Sequence, residues 1–344
     1  MKRKNALVTV LSDAVERQLE EFIDSLRTAC PLFGLIDYHM GWSKGQEGSG
    51  TPGKKARPLV LLLVNQALGG DVATALPVAA AVELLHSAAL ALDDIQDESD
   101  LRRGRPALWR VCGPAQAINV GVALQAAVHL AVARAAAAGL PPARALVASE
   151  ELGLCTLRLC EGQHLDLSFE GSGRPSIDDY MRMCGGKTAS LVASASYLGA
   201  FLAGHEPVAE AARRLGYHLG MYLQIEDDIA GIWGDAAAMG KLPADLRHRK
   251  KTLPLLYVFQ LTDLAPEVAE LGQRFFSQAP LEDEEFETLR RVADELGGRS
   301  YAEEMAGFHR GLARRAADEL GEGRISTELI AVLEAISSAL AAPV

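Results

Sequence analysis

The sequence predicts an all-α protein, and three observations carry that reading. Alanine and leucine dominate the chain while β-branched and aromatic residues are sparse. Apolar residues recur at helical rather than alternating spacing nearly everywhere. Short glycine- and serine-bearing stretches such as "EGSGRPS" and "ELGGRS" punctuate long periodic segments. With 344 residues, 49% of them hydrophobic, the chain is long enough to bury a large core. No fixed-period repeat and no long linker interrupt it, so the expectation is one helical domain over residues 1–344, built as a large bundle.

Taken in order, the first long helix is expected over about residues 6–28. "SKGQEGSGTPGKKAR", rich in glycine and lysine, reads as a loop over 43–57. Pro58 suits the first position of a helix that runs to about residue 68, because its missing N–H would have no helical partner there. A longer helix follows over about 76–98. Further helices are expected over 115–138, 142–169, 176–184, 187–203, 207–233 and 252–261, and then through the C-terminal third.

Composition narrows the function classes. A formal net charge of -11 argues against a general nucleic-acid binder, whose phosphate-tracking surface shows as a basic excess. The opening "MKRKNALVTVLSDAVE" is basic, but its apolar run ends at Asp13, too soon for a secretory signal. No uninterrupted apolar run reaches the ~18 residues of a membrane span; "LVASASYLGAFLAG", residues 191–204, comes nearest. The five cysteines, Cys30, Cys112, Cys155, Cys160 and Cys184, have no metal-binding spacing and read as packing residues of a reducing compartment. A cytoplasmic protein without a transmembrane segment is therefore expected.

The stretch "ALALDDIQDESDLRRGRP" crowds acids at the end of the 76–98 helix and follows them with arginines. Asp93 and Asp97 lie four residues apart on one face, about 6 Å along the axis, with Asp94 beside them. They sit at the negative end of the helix dipole, where anions are disfavoured and cations favoured. Taken alone, this is equally a solvated helix end paired with Arg102 and Arg103. A second acid pair, Asp227 and Asp228 in "QIEDDIAGIWGD", tips the balance toward an oxygen-lined site for hard cations. Mg²⁺ is held by one or two carboxylates plus waters and substrate phosphates, and no histidine or thiolate stands nearby in a zinc-like spacing.

These residues resemble the trans-isoprenyl diphosphate synthases, the polyprenyl synthetase family. Five motifs stand in the family's order: "GKKARP" from Gly53, "ELLHSAALALDDIQDESDLRRGRP" from Glu83, "EGQHLDL" from Glu161, "GGKTASL" from Gly185, and "QIEDDIAGIWGDAAAMGKLPADLRHRKKTLP" from Gln224. The resemblance covers nearly the whole chain. It implies the isoprenoid-synthase type of helical bundle, with a central apolar cavity, and head-to-tail prenyl transfer from an allylic diphosphate to isopentenyl diphosphate. It implies about three Mg²⁺ per active site, with Mn²⁺ as a substitute: Asp93 and Asp97 would hold two and Asp227 the third, while Asp94 and Asp228 would act through water or orient ligands. Lys187 and Lys241 would join the three metal-binding aspartates in catalysis. Arg102, Gln163, Asp166, Lys187, Thr188 and Lys241 would serve the allylic diphosphate, and Lys54, Arg57, His86 and Arg103 the isopentenyl diphosphate. Lys250 and Thr252 would lie on the phosphate side. Ala88 and Ala89, where short-chain members often carry an aromatic floor, would leave the tail path open and favour a C20 product, with C15 or C25 as alternatives. A homodimer is implied as well.

Three departures stand out. Gly231 replaces the third acid of the second motif, the acid usual after "AIN" is absent, leaving Val122 in "INVGVAL", and the terminal "ALAAPV" lacks the basic residues that often close the isopentenyl diphosphate site. Two other functions compete: a class I terpene cyclase of the same fold, which needs no isopentenyl diphosphate site, and a catalytically silent partner subunit of another synthase.

Overall fold

The computed structural model describes residues 2–43, 55–171, 174–234, 246 and 248–321. Among these the chain is helical almost throughout: α1 (Lys2–Leu26), α2 (Leu32–Met40), α3 (Ala56–Ala67), α4 (Val72–Gln96), α5 (Leu108–Cys112), α6 (Pro114–Ala137), α7 (Pro142–Gly171), α8 (Ile177–Cys184), α9 (Ser190–Leu202), α10 (Glu206–Trp233), α11 (Leu253–Phe259), α12 (Pro266–Phe276), α13 (Asp283–Glu295) and α14 (Gly298–Asp318). The all-α expectation holds. Lys54 and Lys241 fall outside the described residues.

Three local features depart from the sequence reading. Helix α2 was not foreseen; it is closed by Gly41, whose positive φ of 89° lets its N–H reach the carbonyls of Asp37 and Tyr38. Helix α4 begins four residues earlier than expected, because the Asp71 carboxylate caps it by accepting from the N–H groups of Ala73 and Thr74, and it absorbs Pro77. Between α4 and α5, Leu101–Arg102 and Arg105–Pro106 pair antiparallel as a small hairpin, with Leu101 opposite Pro106 and Arg102 opposite Arg105.

The buried apolar side chains form two clusters. One gathers α1–α4, α6, α7 and α9 around Leu62, Leu84, Leu124 and Leu198; the other gathers α8 and α11–α13 around Tyr180, Leu256 and Phe275. Helices α10 and α14 contribute to both, and Tyr222 packs against both. Two helices, α4 and α6, are long and apolar enough to cross a membrane by length and composition, with mean hydropathies of 1.7 and 1.5 in their most apolar windows. Residues 191–204 are thus not the nearest approach to a span. Most of that window of α4 is buried within the protein, the pattern of a core helix.

One crossing decides where the polar residues go. The break expected between 184 and 187 is instead a continuous π-helical turn, Gly185–Ala189, joining α8 to α9. The backbone of α7 runs directly against this turn at Gly162: a Cβ there would stand 2.1 Å from the Lys187 nitrogen, and one on Gly186 2.8 Å from the Arg158 carbonyl. Two glycines thus let two backbones touch, and the contact fixes where Lys187 emerges. Replacing Gly162 by alanine forces the backbones apart. We expect Gly162→Ala to cost about 3 kcal/mol, the upper end for overpacking because the clash is with backbone, read as a lowered denaturation midpoint, with turnover falling in the surviving folded fraction.

Candidate active site

The last turn of α4 presents Asp93 and Asp97 to one side, and Asp97 is itself the residue that closes the helix, its N–H bonded 2.8 Å from the Asp93 carbonyl. Like charges 4 Å apart repel by about 4 kcal/mol at an effective dielectric near 20, so this cluster needs a cation. Lys187 provides it. Its Nζ lies 2.7 Å from Asp166 of α7, 3.0 Å from Asp93 and 3.5 Å from Asp97. Gln163 donates to Asp97 at 3.1 Å. Burial, then the charge of Asp93, pushes the Asp97 carboxyl up to about 6. Burial disfavours the charge on Lys187, but the three carboxylates outweigh it and hold the ammonium above its ordinary value.

Asp94 points elsewhere. It is fully buried and paired with Arg102, whose Nε donates at 2.9 Å. Burial raises this carboxyl and Arg102 opposes the shift. Arg102 also reaches Asp93 at 3.6 Å. The hairpin explains how adjacent arginines serve different neighbours. Its two turn residues, Arg103 at φ 53° and Gly104 at φ 75°, both take positive φ, the pattern of a type I′ turn. Helix α2 props the hairpin: Tyr38 donates to the Pro106 carbonyl at 2.8 Å, and Arg105 stacks 4.4 Å over the Tyr38 ring while donating to the Tyr38 carbonyl.

On the α3 side of α4 lies a separate cationic cluster. Arg57 donates to His86 Nε2 at 3.0 Å. Burial, followed by the charges of Arg57 and Arg103, holds His86 well below its usual range, so the ring is neutral and accepts from Arg57. Lys55, almost fully buried, pairs with Glu16 of α1 at 2.8 Å and with Glu83 at 3.8 Å. The sequence reading gave no role to Lys55 or Glu83, although both stand inside motifs that it quoted. Ala88 is packed into the core, 2% exposed, whereas Ala89 is half-buried one turn below Asp93. Gln125 donates to Thr156 at 3.1 Å across α6 and α7.

The second acid pair, on α10, divides in the same way. Asp227 is largely exposed, with the Lys250 ammonium 3.6 Å away. Asp228 is fully buried: Tyr180 of α8 donates to it at 2.5 Å, the N–H of Leu253 at 3.0 Å and Gln224 at 3.2 Å, and Lys250 lies 3.3 Å away. Tyr180 carried no signal in the sequence beyond its place on an apolar face. The π turn joins the two clusters. Lys187 enters the first, and the next residue, Thr188, donates at 2.7 Å to Gln224, which holds Asp228. Gly231 stands one turn beyond Asp227 and offers no ligand.

This division sets an expectation for Asp228. Asp228→Ala strips the acceptor from three donors in α8, α10 and α11, two of them buried, at a cost on the order of 3 kcal/mol in a chemical denaturation curve, whereas Asp227→Ala leaves stability within error. Equal stability of the two variants overturns the distinction.

Residues 46–290 match the polyprenyl synthetase family profile. The chain belongs to that family. Geranylgeranyl diphosphate synthase of Mycobacterium tuberculosis is 36% identical over 325 residues, covering 93% of this chain and 86% of that protein. A polyprenyl synthetase crystal structure from Streptomyces coelicolor superposes with a TM-score of 0.82 at 33% identity, covering 98% of each chain. A polyprenyl synthase from Caulobacter crescentus, solved with calcium and isoprenyl diphosphate, gives a TM-score of 0.82 at 26% identity over 98% of this chain and 97% of that one. This family member is accordingly a prenyl diphosphate synthase, a transferase of prenyl groups with the all-α isoprenoid synthase fold.

Proposed function

We propose that this synthase condenses isopentenyl diphosphate head-to-tail with an allylic diphosphate, in a Mg²⁺-dependent reaction, to give a longer linear trans-prenyl diphosphate, geranylgeranyl diphosphate being the favoured product. The observation that carries this reading is the pair of distinct anion-binding regions on α4: acids with Lys187 and Arg102 at its C-terminal turn, and the Arg57–His86 pair beside Lys55 and Glu83 further back. A cyclase needs only the first. A silent subunit needs neither, and both acid pairs are intact.

The residues fit a hard divalent cation. Among the described residues no three acids, histidines or thiols converge as a protein-only metal cage. Mg²⁺ takes one or two carboxylates and completes its shell with water and substrate phosphate. Lys187 in the midst of Asp93, Asp97 and Asp166 marks the spot as one that requires positive charge. Asp93, Asp97 and Asp227 would hold the ions, and Mn²⁺ would substitute on the same oxygen donors. Bound there, Mg²⁺ supplies charge to the leaving diphosphate as the allylic C–O bond ionises.

The chain's own groups do the rest. Lys187 and Arg102 bind the allylic diphosphate with fixed positive charge, Gln163 and Thr188 orient it, and Arg57 and Arg103 bind the isopentenyl diphosphate through planar forks matched to its oxygens. The isopentenyl double bond attacks C1 of the allylic cation, and the released diphosphate takes the proton. The apolar helices around the site keep water from quenching the cation. Lys54 and Lys241 belong to the same assignment by motif alone.

Incubating the purified protein with Mg²⁺, isopentenyl diphosphate and each allylic diphosphate, then chromatographing the dephosphorylated products, tests this reading. Chain-elongated alcohols are expected; a cyclic hydrocarbon formed without isopentenyl diphosphate, or no turnover, overturns it. The half-buried Ala89, rather than the packed Ala88, is the position to fill. Ala89→Phe is expected to shorten the product by at least one five-carbon unit, and an unchanged distribution moves the floor elsewhere.

A homodimer is supported by an apolar strip on α6 and α7, where Ile118, Val122, Leu130, Leu146, Leu154 and Leu157 are all exposed. In each helix these residues recur on one face. Replacing Leu154 and Leu157 together by glutamate is expected to halve the mass measured by light scattering, and an unchanged mass removes this face as the contact. Five free cysteines, two of them buried, agree with a reducing, cytoplasmic setting.

A further inference from the structure

The cationic cluster contains an acid that the family motif comparison did not assign. Glu83 is 2% exposed, on the same face of α4 as His86 three residues on. A buried carboxylate is costly unless it is compensated; this one has the Lys55 ammonium at 3.8 Å and feels the charges of Arg57 and Arg103, so that cations reach it from the start of α3 and from the hairpin turn. Lys55 precedes α3, Arg57 is in the first turn of α3, and Arg103 comes from the hairpin turn. Burial raises the Glu83 carboxyl; Lys55, Arg57 and Arg103, in that order, favour its ionised form.

Backbone strain converges on the same acid. Among the described residues five non-glycine residues take positive φ, and two of them are Lys55, at 50°, and Arg103, at 53°. Such conformations persist only where the surroundings over-determine them, and they gather at functional sites. Lys55 is tied further to α1, since Glu16 binds it at 2.8 Å and accepts from Trp42 Nε1 at 2.5 Å. Three mutually repelling cations are thus held against two carboxylates before any ligand arrives.

We propose that Glu83 is a positioning residue for isopentenyl diphosphate, its buried carboxylate holding Lys55, Arg57 and Arg103 as one preorganised face for that anion. This rests on the reading of the cationic cluster as the isopentenyl diphosphate site. Glu83 does not touch the reacting atoms. It acts by keeping guanidinium and ammonium groups in place that would otherwise move apart or swing toward water, so that the diphosphate meets an ordered set of donors. Electrostatics alone predicts the opposite, because a negative charge behind the site repels a diphosphate, and the two accounts differ in sign.

The test is Glu83→Gln, which keeps shape and removes charge. Isopentenyl diphosphate is titrated calorimetrically into wild type and variant, each saturated with Mg²⁺ and farnesyl thiodiphosphate, and steady-state constants are measured for both substrates. The expected result is an isopentenyl diphosphate Kd and KM raised about tenfold or more, with the allylic KM, and kcat at saturating isopentenyl diphosphate, within about twofold of wild type. Glu83→Asp is expected to recover part of the lost affinity. Should Glu83→Gln fail to fold, Lys55→Met, which removes a cation from the same carboxylate, carries the same split between the two substrates. Unchanged or tighter isopentenyl diphosphate binding, or equal loss for both substrates, overturns the role of Glu83. A wild type that does not bind isopentenyl diphosphate overturns the site assignment along with it.

Discussion

Carboxylates that repel one another have to be held together by something positive, and among the described residues that constraint is met chiefly by one ammonium, with Arg102 beside it. Lys187 lies among Asp93, Asp97 and Asp166, which come from two different helices. Its position follows from the contact of α7 with the π turn, where Gly162 and Gly186 leave no room for a Cβ. Successive residues of the turn then meet separate targets: Lys187 the first acid cluster and Thr188, through Gln224, the second. π turns recur at functional sites for this reason, since one irregular turn re-aims side chains without ending the helix. The end of α4 adds its own demand, because its unpaired carbonyls favour cations at the same place.

Each acid pair divides its labour between surface and interior. Asp93 and Asp227 face outward, while Asp94 and Asp228 are fully buried and hydrogen-bonded by groups from other elements. A carboxylate turned into the interior and bonded there by another element serves as an anchor: Asp94 through Oδ1 to Arg102, Asp228 through both oxygens. Asp94 ties the end of α4 to the hairpin; Asp228 ties α10 to α8 and α11. The outward acid of each pair is thereby mounted on a backbone that cannot rotate freely, which suits groups that must meet charge in a defined arrangement.

Much of this was legible in the sequence. Ala- and Leu-rich periodicity gave the helical class, and the acids at i and i+4 gave the shared face of Asp93 and Asp97, because both depend on local geometry. The misses share a cause. Helix α2 is short and is defined by its closing glycine; the hairpin is only two residues on each strand; and the π turn differs from an α-helix by one residue per turn, which hydrophobic spacing does not resolve. Glu83, Lys55 and Tyr180 gain their meaning from partners 20 to 48 residues away in the chain, beyond the reach of a helical turn, and no periodicity reports such pairings. Lys55 in particular looks like any loop lysine until α1 and α4 close around it.

The hairpin between α4 and α5 carries a further consequence. Arg102 sits on its first strand and turns to Asp94, while Arg103 occupies the turn and lies within electrostatic reach of Glu83. Which arginine serves which neighbour is therefore encoded by counting along the chain. An exposed loop normally tolerates a residue gained or lost, but here an insertion before Arg102 would carry its guanidinium from the strand to the turn and take it away from Asp94. The length of this segment matters to the site as much as its composition.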